Sequence, residues 1–191
     1  MNFASCDQLL LSCHSWLEFT SQLNSLPNTT DQGDVFERLV QIYMLTDPEY
    51  VTQFEQVWHA TSSKGELPSN VRLHLNLPLD DEGIDLIALS RNGEYTSIQA
   101  KYRTDPEASI SWGVLTTFIS LTVDTCKNIP WGIVFTTSAK AISKQKLASD
   151  RFRFEYLDRF LALDDDGGIG WDRIHKWINS RELIAPEPKI R

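Results

Sequence analysis

The sequence has little cysteine: Cys6, Cys13 and Cys126 only, with no Cys-x-x-Cys pair among them. An odd, sparse set speaks against a disulfide framework and against a structural zinc site, and a reducing cytoplasm is the expected setting. Long apolar runs are missing as well. No stretch approaches the roughly 18 apolar residues that a membrane helix needs. The start, Met1-Asn2-Phe3-Ala4-Ser5, has no basic region ahead of an apolar one, so no secretory signal is expected. Positive charge is also short: 18 Lys and Arg stand against 26 Asp and Glu, a net charge of −8. That balance counts against a free-standing, tight nucleic-acid binder, which usually carries a basic surface. It leaves room for an acidic site that holds a divalent cation.

What is present is an ordinary globular composition, 41% hydrophobic and 23% charged over 191 residues. That suits one domain, with or without a helical appendage. The pattern predicts a helix over 3–25 and a turn-rich linker from Asn24 to Gly33. A second helix is expected from about Asp34 to Leu45, where Phe36, Leu39, Val40 and Tyr43 fall at i, i+3, i+4 and i+7. Asp47-Pro48 opens a third, reaching about Gln56. The period then changes. Ile84–Leu89 and Tyr95–Tyr102 read as strands, Ser111–Thr122 as a helix, Trp131–Thr136 as a buried strand. Ala139–Ala148 reads as a basic helix, Phe152–Leu157 as a strand and Trp171–Asn179 as a last helix. This order implies an α/β fold with a central mixed β-sheet flanked by helices. Residues 1–30 are expected to form an N-terminal helical extension, 31–180 the main domain, and 181–191 a Pro-containing linker.

The hairpin carries the chemistry. Gln99 and Lys101 are two apart and share one strand face, with Ile98 and Ala100 on the other. On the preceding strand Asp85 alternates with Ile84 and Leu86. One face should therefore be apolar (Ile84, Leu86, Ala88, Ile98, Ala100) and the other should carry Asp85, Gln99 and Lys101. A two-residue turn at Asn92-Gly93 would break that division. A three-residue loop, Arg91 to Gly93 with Gly93 left-handed, sets Asp85 opposite Gln99, and register follows the buried face.

Such a cluster suits phosphodiester hydrolysis, which needs charge neutralisation at the phosphate, an in-line water and help for the leaving oxygen. A hard divalent cation, Mg2+ or Mn2+, held by carboxylate and carbonyl oxygens supports these needs. Asp85 is the expected central ligand, with Gln99 and the Ala100 backbone carbonyl beside it, and Lys101 is expected to orient or activate the water and stabilise the phosphate charge. Gln99 is neutral, so a further carboxylate is wanted; Glu37 on the second helix is the first candidate and Glu82 a weaker one.

The run Gly83-Ile84-Asp85-Leu86-Ile87-Ala88 followed by Ile98-Gln99-Ala100-Lys101-Tyr102 resembles the Mrr-like branch of the PD-(D/E)XK nucleases, in which Gln often replaces the acidic residue. Gly33-Asp34-Val35-Phe36-Glu37 resembles that branch's first-helix motif, whose Glu joins the metal site. The runs Thr46–Tyr50, Val57-Trp58 and Phe160–Leu163 resemble the N-terminal nuclease domain of Type ISP restriction enzymes. The resemblance covers about residues 30–180. It implies a restriction-endonuclease-like αβββαβ core, a Mg2+-dependent DNA endonuclease, and a place ahead of a helicase-like motor in a larger restriction or phage-defence protein. Double-stranded DNA is the implied partner, with a homodimer where both strands are cut. A second reading is the same fold with a weakened site that binds DNA or a protein without cutting.

Other features have plainer explanations. Lys140, Lys144, Lys146, Arg151 and Arg153, with Arg103, form a candidate phosphate-contacting surface, but a solvated basic face explains them equally well. The run Asp164-Asp165-Asp166-Gly167-Gly168 lacks the spacing of a calcium loop and reads as an exposed turn. The four histidines have no ligand-like spacing, and Cys6 and Cys13 are expected to be buried.

Overall fold

Two polar residues, Ser15 and Asn28, decide how the N-terminal part of the chain folds. The computed structural model describes residues 1–79, 83–140 and 150–181. Ser15 accepts a hydrogen bond from the Glu18 N–H, and the Glu18 carboxylate accepts one from the His14 N–H. This reciprocal Ser-x-x-Glu cap splits the expected first helix into α1 (Phe3–Leu11) and α2 (Trp16–Ser25). Asn28 caps the next helix by accepting from the Asp31 N–H. Helix α3 therefore starts at Thr29 and runs to Thr46, and the expected linker shrinks to residues 26–28.

Asp47 caps α4, which covers only Pro48–Val51 because the chain then enters strand β1 (Phe54–His59), an element the sequence pattern did not predict. A short helix α5 (Ser69–Leu75) follows, also unforeseen. Then come β2 (Leu86–Ser90), β3 (Tyr95–Lys101), α6 (Trp112–Ser120) with a π turn over Leu121–Thr125, β4 (Trp131–Thr136) and β5 (Phe152–Glu155). Helices α7 (Leu157–Leu161) and α8 (Asp165–Ser180) close the described chain. The expected turn at 164–168 is visible as left-handed backbone at Asp166, Gly167 and Gly168. Asp164 ties it down by accepting from the Trp16 N–H and the Trp171 indole N–H. The helix expected over 139–148 falls mostly on residues outside the described set, as do Glu82, Lys144, Lys146 and the expected linker beyond Arg181.

The five strands lie in the order β1-β2-β3-β4-β5. The first three are antiparallel, and β4 and β5 add in parallel, so the sheet is mixed as expected. Its two faces are both covered. Val57, Leu86, Ala88, Ile98, Ala100, Ile133 and Phe135 pack under α1–α3, α7 and α8, against Leu10, Phe19, Phe36, Leu39, Phe160 and Trp171. Each large apolar side chain so buried contributes on the order of 1.5–3 kcal/mol. The helices before residue 30 thus share one core with the sheet. Ile87 and Val134 face the other way, against Leu75, Leu115 and Phe118 of α5 and α6. Ile84 joins this second layer; it precedes β2, so strand alternation does not place it with Leu86 and Ala88 as expected.

A buried charge ties α1 to α3. Arg38, 2% exposed, donates through Nε and Nη2 to both Asp7 oxygens at 2.7 and 3.0 Å, and through Nη1 to Gln41 at 2.7 Å. Gln41 passes the link to the Val57 carbonyl of β1 and to Glu66. Cys6 and Cys13 are buried as expected, and burial pushes both thiols up to about 11, so they stay protonated.

Candidate active site

The β2–β3 turn sets the site. The Ser90 N–H donates to the Glu94 carbonyl at 2.9 Å, leaving Arg91, Asn92 and Gly93 as the loop, with Gly93 at φ +87°. This is the three-residue loop expected from the face argument. It pairs Leu86 with Ile98 and Ala88 with Thr96, and the paired ladder ends one step short of Asp85 and Gln99.

At that step the ladder changes partners. A continued antiparallel ladder would have the Ala100 N–H donate to the carbonyl of residue 84. It donates instead to Asp85 Oδ2 at 2.7 Å. The Asp85 main chain is fixed on both sides, its N–H on the Ile98 carbonyl and its carbonyl on the Ala60 N–H, each at 2.9 Å. The Asp85 carboxylate, 4% exposed, therefore stands where β2 parts from β3 and takes the place of a main-chain acceptor.

Gln99 lies on the face covered by α6 and is 2% exposed. This face is not the open polar surface that the alternation alone suggests; it is roofed by a helix. The Gln99 Nε2 donates to the Gly83 carbonyl at 2.9 Å. Because that partner can only accept, the amide orientation is fixed, with Nε2 on Gly83 and Oε1 turned away. Gly83 sits at φ +114°, a conformation that only glycine adopts readily. Gln99 Oε1 is buried and, among the described residues, has no hydrogen-bond partner. Leaving such an acceptor unmatched costs roughly 1–3 kcal/mol. A cation would satisfy it. The Ala100 carbonyl points to the same edge as its N–H by the geometry of the ladder. Carboxylate, amide and main-chain oxygens form a donor set suited to Mg2+ or Mn2+. Among the described residues no three of His, Cys, Asp and Glu come together, so a cation here would have to draw on amide and main-chain oxygens besides Asp85.

Lys101 ends β3, level with Thr136 of β4, and is half-buried. Its neighbours Ala100 and Tyr102 pack on the α3 side, Tyr102 against Phe36 with ring centroids 5.8 Å apart. Lys101 therefore shares the Gln99 side of the strand. Other lysines are engaged, Lys64 with Asp34 and Lys140 with Glu107; among the described residues Lys101 has no such carboxylate.

Glu37 is half-buried on α3, with Oε2 3.7 Å from His59 Nδ1. His59 pairs across the sheet with Leu86, the residue after Asp85. Glu37 thus approaches the sheet one strand over from Asp85, on the α3 side. The sequence offered no reason to single out His59. It is 1% exposed, its ring lies 4.8 Å from that of Phe3 at a tilt of 51°, and among the described residues neither ring nitrogen has a hydrogen-bond partner. Burial, helped by nearby Lys64 and Arg38, lowers its pKa to about 3, so the imidazole is neutral and the Glu37 contact is not an ion pair at neutral pH. The sign of the consequence is fixed. Below the unfolded value near 6.5 only the unfolded chain takes up this proton, so stability should fall as pH drops from 6.5 toward 3. Denaturant melts across that window should show a shallower decline in His59→Phe; equal slopes would contradict the neutral assignment.

The basic candidates scatter. Arg151 donates to the Pro130 and Ile129 carbonyls, and Arg153 pairs with Glu49 and Glu155, so both guanidinium groups are engaged within the fold. Lys140 is exposed and lies 3.5 Å from Glu107. Arg103 follows β3 and remains close to the site.

A family model described as "Restriction endonuclease" (Mrr_cat_2) matches residues 45–159, more than half of the chain. That span holds Asp85, Gln99 and Lys101; Glu37 precedes it. Among solved structures the chain is similar to the ATP-dependent Type ISP restriction-modification enzyme LlaBIII bound to DNA, with a TM-score of 0.51 and 21% identity over 72% of this chain. The matched part is 8% of that enzyme's chain. No curated protein matches.

Proposed function

Since the chain belongs to this restriction endonuclease family, we propose that it is a divalent-metal-dependent DNA endonuclease module, hydrolysing phosphodiester bonds within a larger cytoplasmic restriction protein that carries a helicase-like motor. The observation that carries the reading is a buried Gln99 Oε1 with no hydrogen-bond partner among the described residues, next in the chain to the Ala100 N–H that holds the Asp85 carboxylate. Asp85, Gln99 and the Ala100 carbonyl would hold Mg2+ or Mn2+; Glu37, beside His59 on the α3 face of the sheet, lies across the sheet from Gln99 and is left out of this donor set. The cation would neutralise charge at the attacked phosphate. Lys101 orients the attacking water and stabilises the negative charge that builds on the phosphate. Lys140 and Arg103 offer contacts to the DNA backbone. The net charge of −8 fits a module whose DNA affinity comes largely from the rest of a longer protein.

Gln99→Glu tests the ligand assignment. Without metal the new carboxylate faces the Gly83 carbonyl that Nε2 now serves, so the apo protein should melt lower than the parent. With Mn2+ added, the rise in melting temperature should exceed that of the parent, because binding to the folded state alone stabilises it. A metal response absent from both proteins would rule out the proposed donor set.

A further inference from the structure

Among the described residues, four buried side-chain atoms have no hydrogen-bond partner: both ring nitrogens of His59, Gln99 Oε1 and Arg103 Nε. The last two are complementary. Gln99 presents an unmatched acceptor, which suits a cation. Arg103, four residues further along the same segment, presents an unmatched donor, which suits an anion.

The main chain of Arg103 is fixed in place. Its N–H donates to Thr137 Oγ1 at 2.6 Å, and the same hydroxyl donates back to the Arg103 carbonyl at 3.0 Å. Thr137 is 2% exposed, and its own N–H reaches the Lys101 carbonyl at 3.4 Å. This clamp joins the chain just past β3 to the chain just past β4. The carboxyl ends of neighbouring parallel strands are the edge where open α/β sheets bind ligands. Tyr102, between Lys101 and Arg103, turns to the α3 side, where its hydroxyl donates to Asn24. Unlike Arg38, Arg153 and Arg159, which pair with carboxylates, Arg103 has no carboxylate partner among the described residues. A guanidinium fixed at its base, with a partnerless Nε–H, matches the forked geometry of a phosphate group.

We propose that Arg103 is a phosphate-positioning residue: it grips the DNA phosphate adjoining the one to be cleaved, about 7 Å along the chain from Lys101. This rests on the nuclease reading above and names the group that sets the strand's register in that site.

The experiment compares the parent, Arg103→Ala and Arg103→Lys. Binding of a fluorescent duplex is measured in Ca2+ at several salt concentrations, and cleavage in Mg2+. Arg103→Ala should weaken duplex binding about tenfold or more and reduce the slope of log affinity against log salt by about one. KM should rise more than kcat falls. Arg103→Lys should restore the slope but only part of the affinity, because an ammonium cannot make the forked contact. If Arg103→Ala lowers the melting temperature yet binds with the parent's affinity and slope, the buried Nε is structural and the inference fails, while the nuclease reading stands on the parent's cleavage. Should Arg103→Ala fail to fold, Arg103→Lys decides: unchanged affinity overturns the inference. A parent that neither binds nor cuts duplex overturns this inference and the nuclease reading together.

Discussion

Replacing Lys101 by Ala is expected to slow DNA cleavage on the order of a hundredfold or more while leaving the fold standing. The rate effect follows from position. Lys101 is the cation on the Gln99 side of β3, and it has no carboxylate partner among the described residues to absorb its charge. Losing one preorganised group that stabilises transition-state charge typically costs about two to three powers of ten in rate. The fold should survive because Lys101 ends its strand, is only half-buried and belongs to neither apolar layer, so its truncation opens no core cavity. Circular dichroism melts and single-turnover cleavage of a labelled duplex separate the two effects. Parent-like cleavage by the variant would mean that catalysis lies elsewhere, and the reading of the chain as a binding module would then account better for it.

The largest stability effect should come from Arg38, far from the chemistry. Arg38→Ala removes two of the three hydrogen bonds that hold Asp7 and leaves that 8%-exposed carboxylate, among the described residues, with the 3.1 Å bond from half-exposed Arg181. Breaking one partner of a buried pair typically costs about 3–5 kcal/mol, because the remaining charge stays desolvated. Arg181 places this case near the lower figure. For a chain of this size, 3 kcal/mol lowers the melting temperature by roughly 6–12 °C. Asp7→Asn in the same chain should recover part of that loss, since the two residues act as one unit. A loss under about 0.5 kcal/mol would show that α1 contributes little to the core it covers.

The site's skeleton was legible because β-strand parity leaves few options. Ile98 and Ala100 had to be buried together, so only an odd loop at Arg91–Gly93 was acceptable, and the β2–β3 register from Leu86–Ile98 to Leu89–Tyr95 follows from it. The roof over that face was not legible. Gln, Lys and Asp on one strand side read as a solvated surface, and only the packing of α6 makes Gln99 a buried group with an unmatched oxygen. Strand β1 was hidden because Phe54–His59 follows a Pro-started helix turn and carries two exposed polar residues with an irregular pairing between Phe54 and Gln56. His59 ends that strand and is hidden with it. The break between α1 and α2 did leave a signal in Ser15-Trp16-Leu17-Glu18, a capping sequence outweighed by the apolar periodicity around it. Polar Asn28-Thr29-Thr30 has the composition of a linker, yet Asn28 is a cap and the threonines begin a helix.

The central claim is that Asp85, with Gln99 beside it, holds a cation that this chain needs to cut DNA. The direct measurement is conversion of supercoiled plasmid by the parent and by Asp85→Asn, with Mg2+, with Mn2+ and with EDTA. Asn is close in size, and its side-chain oxygen can still accept from the Ala100 N–H, so the fold should persist and only the ligand charge is lost. Cleavage by the parent with either metal, none with EDTA and none by Asp85→Asn is the predicted result. Metal-dependent cleavage by Asp85→Asn at the parent's rate would contradict the assignment of this site.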